Sequence, residues 1–387
     1  MAVMVVAAGL KPDAAPKANA AVVQTAIDEV SAAGGGVVTV PSGTWTCGTL
    51  WMRSNVELHL EDGAVLRASV DLDDYNALDA FEQNYSITNE QWTGRHFIIF
   101  HEIENAAITG RGVIDGNSGA FYEEKAPPRR PGIPVWRDGI RMAKDKVRLR
   151  AGPMIFCMEC RNLRFEDFLA KDSPCWCLTL QGCDKVLVRG YRVRCGPTDG
   201  NSDGIDIGTC TDVTVRDCDI VTGDDALAIT ASLGHLKHHK KAVCERIRVS
   251  NCRFSTSAMG IRFGVGAGLV RDVEVSDVTV DHAGWAVSFE TYYGAFEGRG
   301  VDMEDIVFNR LNVKDCYGNW RVRAGGDMIV NGIRRIAFTD CTFGGLVYGN
   351  LIGDATMPIR DIRFDGCTYS VFPDNTFRHM LKDAPVK

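Results

Sequence analysis

Three aspartates stand at the edges of two strand-like runs within residues 201–229, NSDGIDIGTCTDVTVRDCDIVTGDDALAI. Asp203 precedes the first run, and the adjacent pair Asp224 and Asp225 precedes the second. Carboxylates are poor strand residues. When they cluster they repel one another, and one of them can be forced to hold a proton. Such a cluster can perform acid–base chemistry, provided that the fold brings the two runs side by side.

A repeat that begins at residue 160 predicts how these runs are arranged. Its units open with alternating apolar and polar residues and a short Asn, Asp or Gly turn, as in CDKVLVRGYRVRC and CERIRVSNCRF. The units open at residues 160, 183, 210, 244, 270, 303, 333 and 359, which are 23 to 34 residues apart. A period of two in such short units predicts stacked strands that cannot bury their apolar faces alone. Three strands per coil give an all-β, right-handed, single-stranded parallel β-helix.

The one clear helix is predicted near the start, at residues 19–33 (NAAVVQTAIDEVSAA), where Val22, Ile27 and Val30 suit an apolar face. A helix there can cap the open end of the core and protect strand edges from pairing. The main alternative, a doubly wound α/β fold, needs a helix between successive strands. The intervals between the repeated strands are too short and too rich in turns for that.

The whole chain, residues 1–387, is therefore predicted to form a single parallel β-helix domain. Residues 1–35 would supply its N-terminal strand and capping helix. The segment EEKAPPRRPGIPVWRDG is too irregular for a coil and too proline-rich for a helix. Residues 123–155 are therefore predicted to be a loop insertion.

Composition limits the partners and the compartment. Apolar content of 45%, charged content of 24% and a net charge of −7 are ordinary for a soluble protein and give no indication of nucleic-acid binding. No stretch reaches the roughly 20 apolar residues of a transmembrane helix, so no membrane partner is predicted. The 14 cysteines favour a reducing, cytoplasmic compartment. The alternative is a secreted or periplasmic protein, with MAVMVVAAGLKPD a signal peptide that is removed instead of a first strand.

Metal ions, cofactors and oligomeric state leave little trace in the sequence. Cys157 and Cys160 are the only pair with CxxC spacing, and no second pair follows at the spacing of a zinc site. The His-rich loop GHLKHHKK, residues 234–241, offers no partner ligands in the sequence. No metal and no cofactor is therefore predicted, and no oligomeric state is assigned.

The repeat also predicts which residues stack on one another. Successive coils align on inward apolar pairs: Ile205/Ile207, Leu227/Ile229, Ile261/Phe263 and Val287/Phe289. In that register Asp203 stacks on Asp225, and both lie under Met259. Because neighbouring strands are about 4.8 Å apart, the three aspartates should meet within a few ångströms. Each aspartate alone would be interpreted as a turn residue. Stacked like charges, however, destabilise the fold, and no local interaction in the sequence offsets this cost, so the cluster is predicted to be a functional site.

At these residues the chain resembles glycoside hydrolase family 28, the polygalacturonase-like enzymes. The matching segments are DSPCW at 172–176, NSDGID at 201–206, TGDDALAI at 222–229 and ITGRGVIDG at 108–116. The opening GGGVVTVPSGTW resembles the wider pectin-lyase-like β-helix superfamily. The resemblance implies inverting hydrolysis of O-glycosidic bonds in a pectin-related or other oligo- or polysaccharide. It also implies that Asp224 is the general acid and that Asp203 and Asp225 position and deprotonate the water.

Two departures from the family pattern bear on the substrate. Ala258-Met259-Gly260 stands where the family has Gly-His-Gly, so the supporting histidine is missing. Ser288-Phe289-Glu290 stands where the family has Arg-Ile-Lys, the cations that hold a substrate carboxylate. A glutamate there would repel galacturonate, so plain polygalacturonate is not the expected substrate. Arg262, on the outward face beside Ser288, could partly restore a positive contact.

Further contacts to a glycan are predicted around the trio. The outward-facing and cleft-side candidates are Asn201, Asp206, Arg262, Glu290, His235, Trp285 and Tyr292. Trp285 and Tyr292 could stack on sugar rings or merely pack, and the loop that carries His235 could overhang the cleft or be solvated. Two alternatives to a hydrolase stay open: a polysaccharide lyase, which wants an Arg or Lys base, and a non-catalytic glycan-binding β-helix.

Overall fold

Alternating apolar residues in successive repeats form three long parallel sheets around one core. The computed structural model describes residues 3–124, 144–146, 149–197, 199–291, 300–324, 332–353 and 359–370. In these residues each sheet runs through successive coils of the chain, and neighbouring strands come from neighbouring coils. The architecture is the right-handed parallel β-helix that the repeat predicted, and each coil contributes one strand to each sheet.

The three sheets have 12, 11 and 10 strands in the described residues. Sheet 1 contains Val3–Val6, Gly36–Val40, Val56–Leu60, Glu104–Gly110, Arg161–Glu166, Asp184–Arg189, Thr211–Arg216, Val243–Ser250, Leu269–Ser276, Asp302–Asn309, Ile333–Thr339 and Ile359–Asp365. Sheet 2 contains Gly43–Cys47, Ala64–Ala68, Val113–Asp115, Leu169–Lys171, Arg192–Arg194, Asp219–Thr222, Arg253–Thr256, Thr279–Asp281, Asn312–Lys314, Thr342–Gly344 and Thr368–Tyr369. Sheet 3 contains Leu50–Trp51, Ile98–His101, Ile155–Met158, Leu178–Gln181, Ile205–Gly208, Leu227–Ala231, Met259–Gly266, Trp285–Glu290, Gly318–Arg323 and Asn350–Ile352.

The turn between sheet 1 and sheet 2 explains the Asn, Asp and Gly residues of the repeat. One residue per coil there adopts a left-handed backbone, as in Asp217 (φ 58°), Asn251 (φ 51°) and Asp277 (φ 55°). Asn, Asp and Gly tolerate this conformation better than other residues. Arg310 occupies it with φ 55°, and Asp277 accepts two hydrogen bonds from its guanidinium, both 2.6 Å long. Stacked turn residues therefore also form ladders of ion pairs.

The core consists of ladders of similar side chains. The Phe308 and Phe338 rings are stacked with centroids 4.6 Å apart, and Phe308 meets the rings of Phe263 and Phe289 edge-on. All 14 cysteines are free thiols. They are buried apart from Cys367, which is partly exposed, so small thiols do serve as interior packing groups.

The N-terminal helix, Pro16–Ala32, begins three residues earlier than the sequence pattern predicted. Proline fits the first helical turn because the backbone donor that it lacks would be unsatisfied there anyway. Asn19, the predicted start, is buried inside the helix and donates hydrogen bonds to the carbonyls of Lys11 and Thr46. On the apolar face Val23 is fully buried, whereas the predicted Val22 is only partly buried.

Smaller elements complete the described chain. They are three 3-10 helices, Leu72–Asp74, Thr88–Glu90 and Ser118–Phe121, an antiparallel pair, Tyr122–Glu124 with Lys144–Lys146, and a parallel pair, Trp92–Thr93 with Arg150–Ala151. Most of the predicted insertion at residues 123–155 lies outside the described residues, so its assignment as a loop stays a prediction. In the part of the chain that is described, no helix is both long and apolar enough to cross a membrane.

Candidate active site

The register of sheet 3 brings the three aspartates together. Asp203 precedes strand Ile205–Gly208, and Asp224 and Asp225 precede strand Leu227–Ala231, which pairs with it from Ile205 opposite Leu227 onward. The next strand aligns Ile261 with Leu227, as the repeat predicted. One carboxylate oxygen from each aspartate lies within 4.8 Å of the others. The aspartates are 6%, 3% and 1% exposed in chain order, so the cluster is largely screened from water.

Backbone donors and one arginine orient the adjacent pair. The Asn201 N–H donates to Asp224 Oδ2 at 2.9 Å, and the Asp225 N–H donates to Asp224 Oδ1 at 3.1 Å. The Met259 N–H donates to Asp225 Oδ1 at 3.1 Å. Arg262 Nη1 lies 2.8 Å from Asp225 Oδ2. The backbone donors fix the directions of both carboxylates, and the Arg262 cation beside Asp225 suits that residue to the role of base.

The peptide that carries the pair is itself braced by hydroxyl groups. Thr222 Oγ1 donates to the Asp224 carbonyl at 2.6 Å, and Thr256 Oγ1, from the next coil, donates to the same carbonyl. Ser202 Oγ accepts from the Gly223 N–H at 2.9 Å. Bracing of this kind holds catalytic side chains in a fixed geometry. These hydroxyl residues carry no distinctive sequence signal, because Ser and Thr occur throughout the turns of the repeat.

Asp206 extends the cluster by one more carboxyl group. It is 8% exposed and lies on the outward face of the strand that follows Asp203. Burial raises its pKa well above the ordinary value, and the charges of Asp225 and Asp224 raise it further, while Arg262 opposes them. The environment of Asp206 in the cluster therefore favours its protonated form. Crowded carboxyl groups were expected to retain a proton, but the sequence did not indicate this residue as a carrier.

Arg150 is a buried residue of the site that sequence reasoning missed. Its side chain is fully buried, and its Nη2 donates to Asn201 Oδ1 at 2.8 Å and to the Glu90 carbonyl at 3.0 Å. Its Nη1 donates to the Tyr122 hydroxyl at 3.2 Å and to the Pro174 carbonyl. Because Asn201 in turn donates its N–H to Asp224, Arg150 helps to position Asp224 through Asn201. Its position at the end of an irregular segment gave no sequence signal.

The structure corrects the expectation for Glu290. That prediction treated its carboxylate as facing the substrate without a partner. Instead Glu290 is 4% exposed and forms an ion pair with Arg321. Ser288 Oγ donates to Glu290 Oε1 at 3.0 Å and accepts from Arg321 Nε at 2.8 Å. Arg321 comes from the next coil, directly opposite Ser288 in the strand register, and nothing in the sequence indicated that its side chain reaches Glu290.

The aromatic candidates have different positions. Trp285 is 6% exposed and packs against Tyr317, with ring centroids 5.8 Å apart, and against the Arg321 guanidinium at 5.6 Å. Little of its surface is left for a sugar ring, so packing is its main role in this structure. Tyr292 lies outside the described residues. His235 stacks on Tyr85, with ring centroids 4.6 Å apart and planes 8° apart.

The His-rich loop is largely exposed to solvent, and several hydrogen bonds anchor it. Glu159 accepts hydrogen bonds from the Lys237 and His238 N–H groups and lies 3.0 Å from His239 Nδ1. His238 Nε2 lies 3.1 Å from Glu102 Oε1. The sequence suggested no partner ligands for these histidines, yet Glu102, Glu159 and His238 converge closely enough to meet one ion. The aspartate trio is the other such cluster in the described residues. Neither cluster is assigned a metal.

Residues 38–321 match the sequence profile of glycosyl hydrolases family 28. A probable polygalacturonase of Arabidopsis thaliana is 27% identical over 267 residues, which cover 61% of this chain and 52% of that protein. A probable polygalacturonase of Vitis vinifera is 24% identical over 307 residues, covering 76% of this chain and 57% of that protein. The match thus spans little more than half the length of these two relatives.

Solved structures show the same fold at low sequence identity. The exopolygalacturonase of Thermotoga maritima aligns with a TM-score of 0.65 and 19% identity over 94% of this chain and 92% of that chain. The endo-xylogalacturonan hydrolase of Aspergillus tubingensis aligns with a TM-score of 0.63 and 15% identity over 96% and 94%. The family profile extends over most of the coils, including those that hold the aspartate cluster. From this match, the chain belongs to glycosyl hydrolases family 28.

Proposed function

We propose that this protein is an inverting glycoside hydrolase of the polygalacturonase-like type, acting on a pectin-related or other oligo- or polysaccharide. The observation that carries the proposal is the meeting of Asp203, Asp224 and Asp225, with one carboxylate oxygen of each within 4.8 Å of the others. Crowding three carboxylates at one place costs stability, and hydrolysis of a glycosidic bond gives a use for both an acid and a base.

In the proposed reaction Asp224 gives its proton to the glycosidic oxygen as the bond between that oxygen and the anomeric carbon breaks. A water molecule attacks the anomeric carbon from the opposite side, and its proton passes to the carboxylates of Asp203 and Asp225. Arg262 keeps Asp225 ionised, because its guanidinium is 2.8 Å from that carboxylate. Asn201 directs Asp224 through its backbone N–H.

The closeness of the carboxylates bears on the stereochemistry. Inverting enzymes usually separate two opposed carboxyl groups by about 6.5–9.5 Å to leave room for water, and retaining enzymes by about 5–5.5 Å. The oxygens here lie within 4.8 Å, which taken alone would favour retention. The resemblance to the family, however, implies that the leaving oxygen lies at Asp224 and the attacking water at Asp203 and Asp225, with no aspartate acting as a nucleophile. We therefore keep inversion as the proposal, and the product anomer tests it.

For the substrate we propose that the sugar next to Ser288 and Glu290 is neutral. Arg321 and Glu290 offset each other's charge, and Arg262 is ion-paired with Asp225. The repulsion expected from an unpartnered Glu290 is therefore mostly removed. However, neither Arg321 nor Arg262 offers a net positive charge to a uronate carboxylate. The preference against plain polygalacturonate should accordingly be modest.

The experiment is a screen of purified protein on neutral and acidic glycans, comparing wild type with Asp224→Asn. The wild type should release reducing ends, and the variant should lose roughly 10² or more in rate, the usual contribution of a general acid. The matched control is Asp272→Asn on sheet 1, whose ion pair with Arg248 is exposed and so contributes little. Equal turnover of Asp224→Asn and wild type would disprove the assignment. Products with an unsaturated, ultraviolet-absorbing sugar would show a lyase, and binding without turnover would show a glycan-binding protein.

A further inference from the structure

A pair of stacked rings crosses the cleft on the N-terminal side of the aspartates. Tyr85 lies in the segment before strand Ile98–His101 of sheet 3, and His235 lies in the loop after strand Leu227–Ala231. Segments before and after the strands of one sheet lie on opposite sides of that sheet. The contact between the two rings, with centroids 4.6 Å apart, therefore joins the two walls of the cleft.

A network of hydrogen bonds anchors this crossing. Gln83 Nε2, two residues from Tyr85, donates to Glu102 Oε1 at 2.6 Å and to Glu159 Oε2 at 3.0 Å. Glu159 also accepts from the His238 N–H at 2.6 Å, on the loop that carries His235. Burial opposes ionisation of Glu159, but these hydrogen bonds outweigh it and lower its pKa to about 2. The carboxylate is thus held in its charged form, in which it accepts hydrogen bonds from both sides of the crossing.

The floor of the cleft beneath and beside this crossing is covered. In the outward column of sheet 3, Thr179 stands opposite Asp206 and Phe156 stands opposite Thr179. Phe156 and Thr179 are fully buried, and the Phe156 ring is stacked on His96 with centroids 4.2 Å apart. Asp206 retains 8% exposure. Since each strand step is about 4.8 Å, the covered floor begins one step from Asp206.

An unsatisfied polar atom lies at the closed end. Among the residues that the structure describes, Asp206 Oδ2 is buried and has no hydrogen-bond partner. Buried polar atoms are almost always hydrogen-bonded, and an exception at a cleft points to a missing ligand or water. A sugar hydroxyl against Asp206 would supply the partner. Because the floor beyond is covered, such a sugar would be the last one of its chain.

We propose that the cleft ends in a pocket for the terminal sugar of a glycan, closed by Tyr85 and His235 and bounded by Asp206. Combined with the proposed hydrolase function, on which it rests, the pocket makes the protein an enzyme that removes sugars from a chain end. A chain bound through its interior would have to pass through the stacked rings and the covered floor.

The first test follows the earliest products from a ladder of defined-length oligogalacturonides and neutral galacto-oligosaccharides. One product length, released from one end of whichever series is cleaved, is the expected result. The double variant Tyr85→Ala/His235→Ala removes the end wall and should raise KM about tenfold with kcat nearly unchanged, the pattern for lost ground-state contacts. Lys240→Ala, on the same loop and exposed, is the control. An early mixture of product lengths would overturn the pocket while leaving hydrolysis established.

A binding arm separates this inference from the hydrolase proposal. Oligosaccharides that carry a bulky label at either terminus are titrated against Asp224→Asn. Blocking the terminus that enters the pocket should weaken binding about tenfold or more, while a label at the other terminus should not. If a label at one terminus abolishes binding but the wild type turns over no substrate, the pocket is supported and the proposed hydrolase function is contradicted. Equal binding of both labelled forms would overturn the pocket whether or not hydrolysis occurs.

Discussion

Arg262 lies in a buried ion pair with Asp225, its Nη1 2.8 Å from Asp225 Oδ2, although 37 residues separate them in sequence. In the strand register Arg262 stands opposite Ala228, whose small side chain leaves the guanidinium room to reach this carboxylate. The chain has Met259 where the resembling family has histidine, so Arg262 is the cation that contacts the cluster. Arg262 thus places a positive charge next to Asp225 in a chain that lacks the family's histidine.

Replacing this arginine should impair the base more than the fold. We expect Arg262→Gln to lower kcat/KM by roughly 10²-fold, because Asp225 loses the charge that favours its ionised form. Without the cation the pKa of the base carboxylate should rise, so the acidic limb of the pH–rate profile should move to higher pH. Arg262→Lys should recover part of the rate. A variant profile that coincides with wild type in both rate and pH would show that the ion pair has no part in catalysis.

Asp206 should make stability depend on pH. Its folded pKa is raised by burial and by Asp225, Asp224 and Glu90, with Arg262 acting in the opposite direction. The folded protein thus keeps a proton that the unfolded chain releases near pH 3.9. The stability contributed by this proton is complete below that pH and is lost as the pH rises through the folded pKa.

Asparagine at position 206 would remove this titration. Relative to wild type, Asp206→Asn should gain stability progressively as the pH rises from about 4 toward neutral. The measurement is the free energy of unfolding by urea across that range. Asp184→Asn, on an exposed part of sheet 1, is the control and should show no such trend. A constant difference between Asp206→Asn and wild type at all pH values would contradict a raised pKa at this site.

The Glu290–Arg321 pair should set the response to acidic sugars. In Glu290→Gln the guanidinium keeps its charge without a carboxylate beside it, so polygalacturonate should bind better and its KM should fall about tenfold relative to that of a neutral substrate. Breaking a buried pair also costs stability, about 3–5 kcal/mol, so kinetics are measured well below the melting temperature. Glu304→Gln breaks another buried contact, to Arg334, on sheet 1 and away from the site. An unchanged ratio of KM values in Glu290→Gln would refute the electrostatic explanation.

Arg150 should couple stability to catalysis. Arg150→Met leaves the Glu90 carbonyl and Asn201 Oδ1 without this donor, which should cost about 2–5 kcal/mol in the free energy of unfolding. Since Asn201 directs Asp224, kcat should fall about tenfold even where the variant is folded, with a smaller loss in Arg150→Lys. Arg192→Met, a surface change, should alter stability by about 0.5 kcal/mol or less. Wild-type kcat in folded Arg150→Met would limit this residue to a structural role.

The sequence predicted the coil register well because register is set by local alternation. The inward pairs beginning at Ile205, Leu227 and Ile261 align in the structure as the pattern predicted, since a slip of one residue would expose an entire apolar ladder. That register was enough to bring the aspartates together. Residues whose positions follow from the coil register can therefore be placed from the sequence.

Contacts that depend on side-chain reach or on long irregular segments were not accessible. Arg321 pairs with Glu290 from the next coil, and a sequence repeat gives positions but not the direction of a long side chain. Arg150 reaches Asn201 from the far end of a segment without periodicity. The stacking of Tyr85 on His235 joins residues 150 apart in a region where neither belongs to a strand. The parts of the site that the sequence missed are thus long side chains whose direction the repeat does not give, and residues in irregular segments.

The most direct test of the proposed chemistry is the anomeric configuration of the first product, followed by proton NMR during hydrolysis by the wild type. With Asp224 as acid and Asp203 with Asp225 activating water, one displacement occurs at the anomeric carbon, and the first sugar released should have the configuration opposite to that of the bond cleaved. Mutarotation then converts it to the equilibrium mixture. A first product with the original configuration would require two displacements and a covalent intermediate, and would contradict the assignment of these three aspartates.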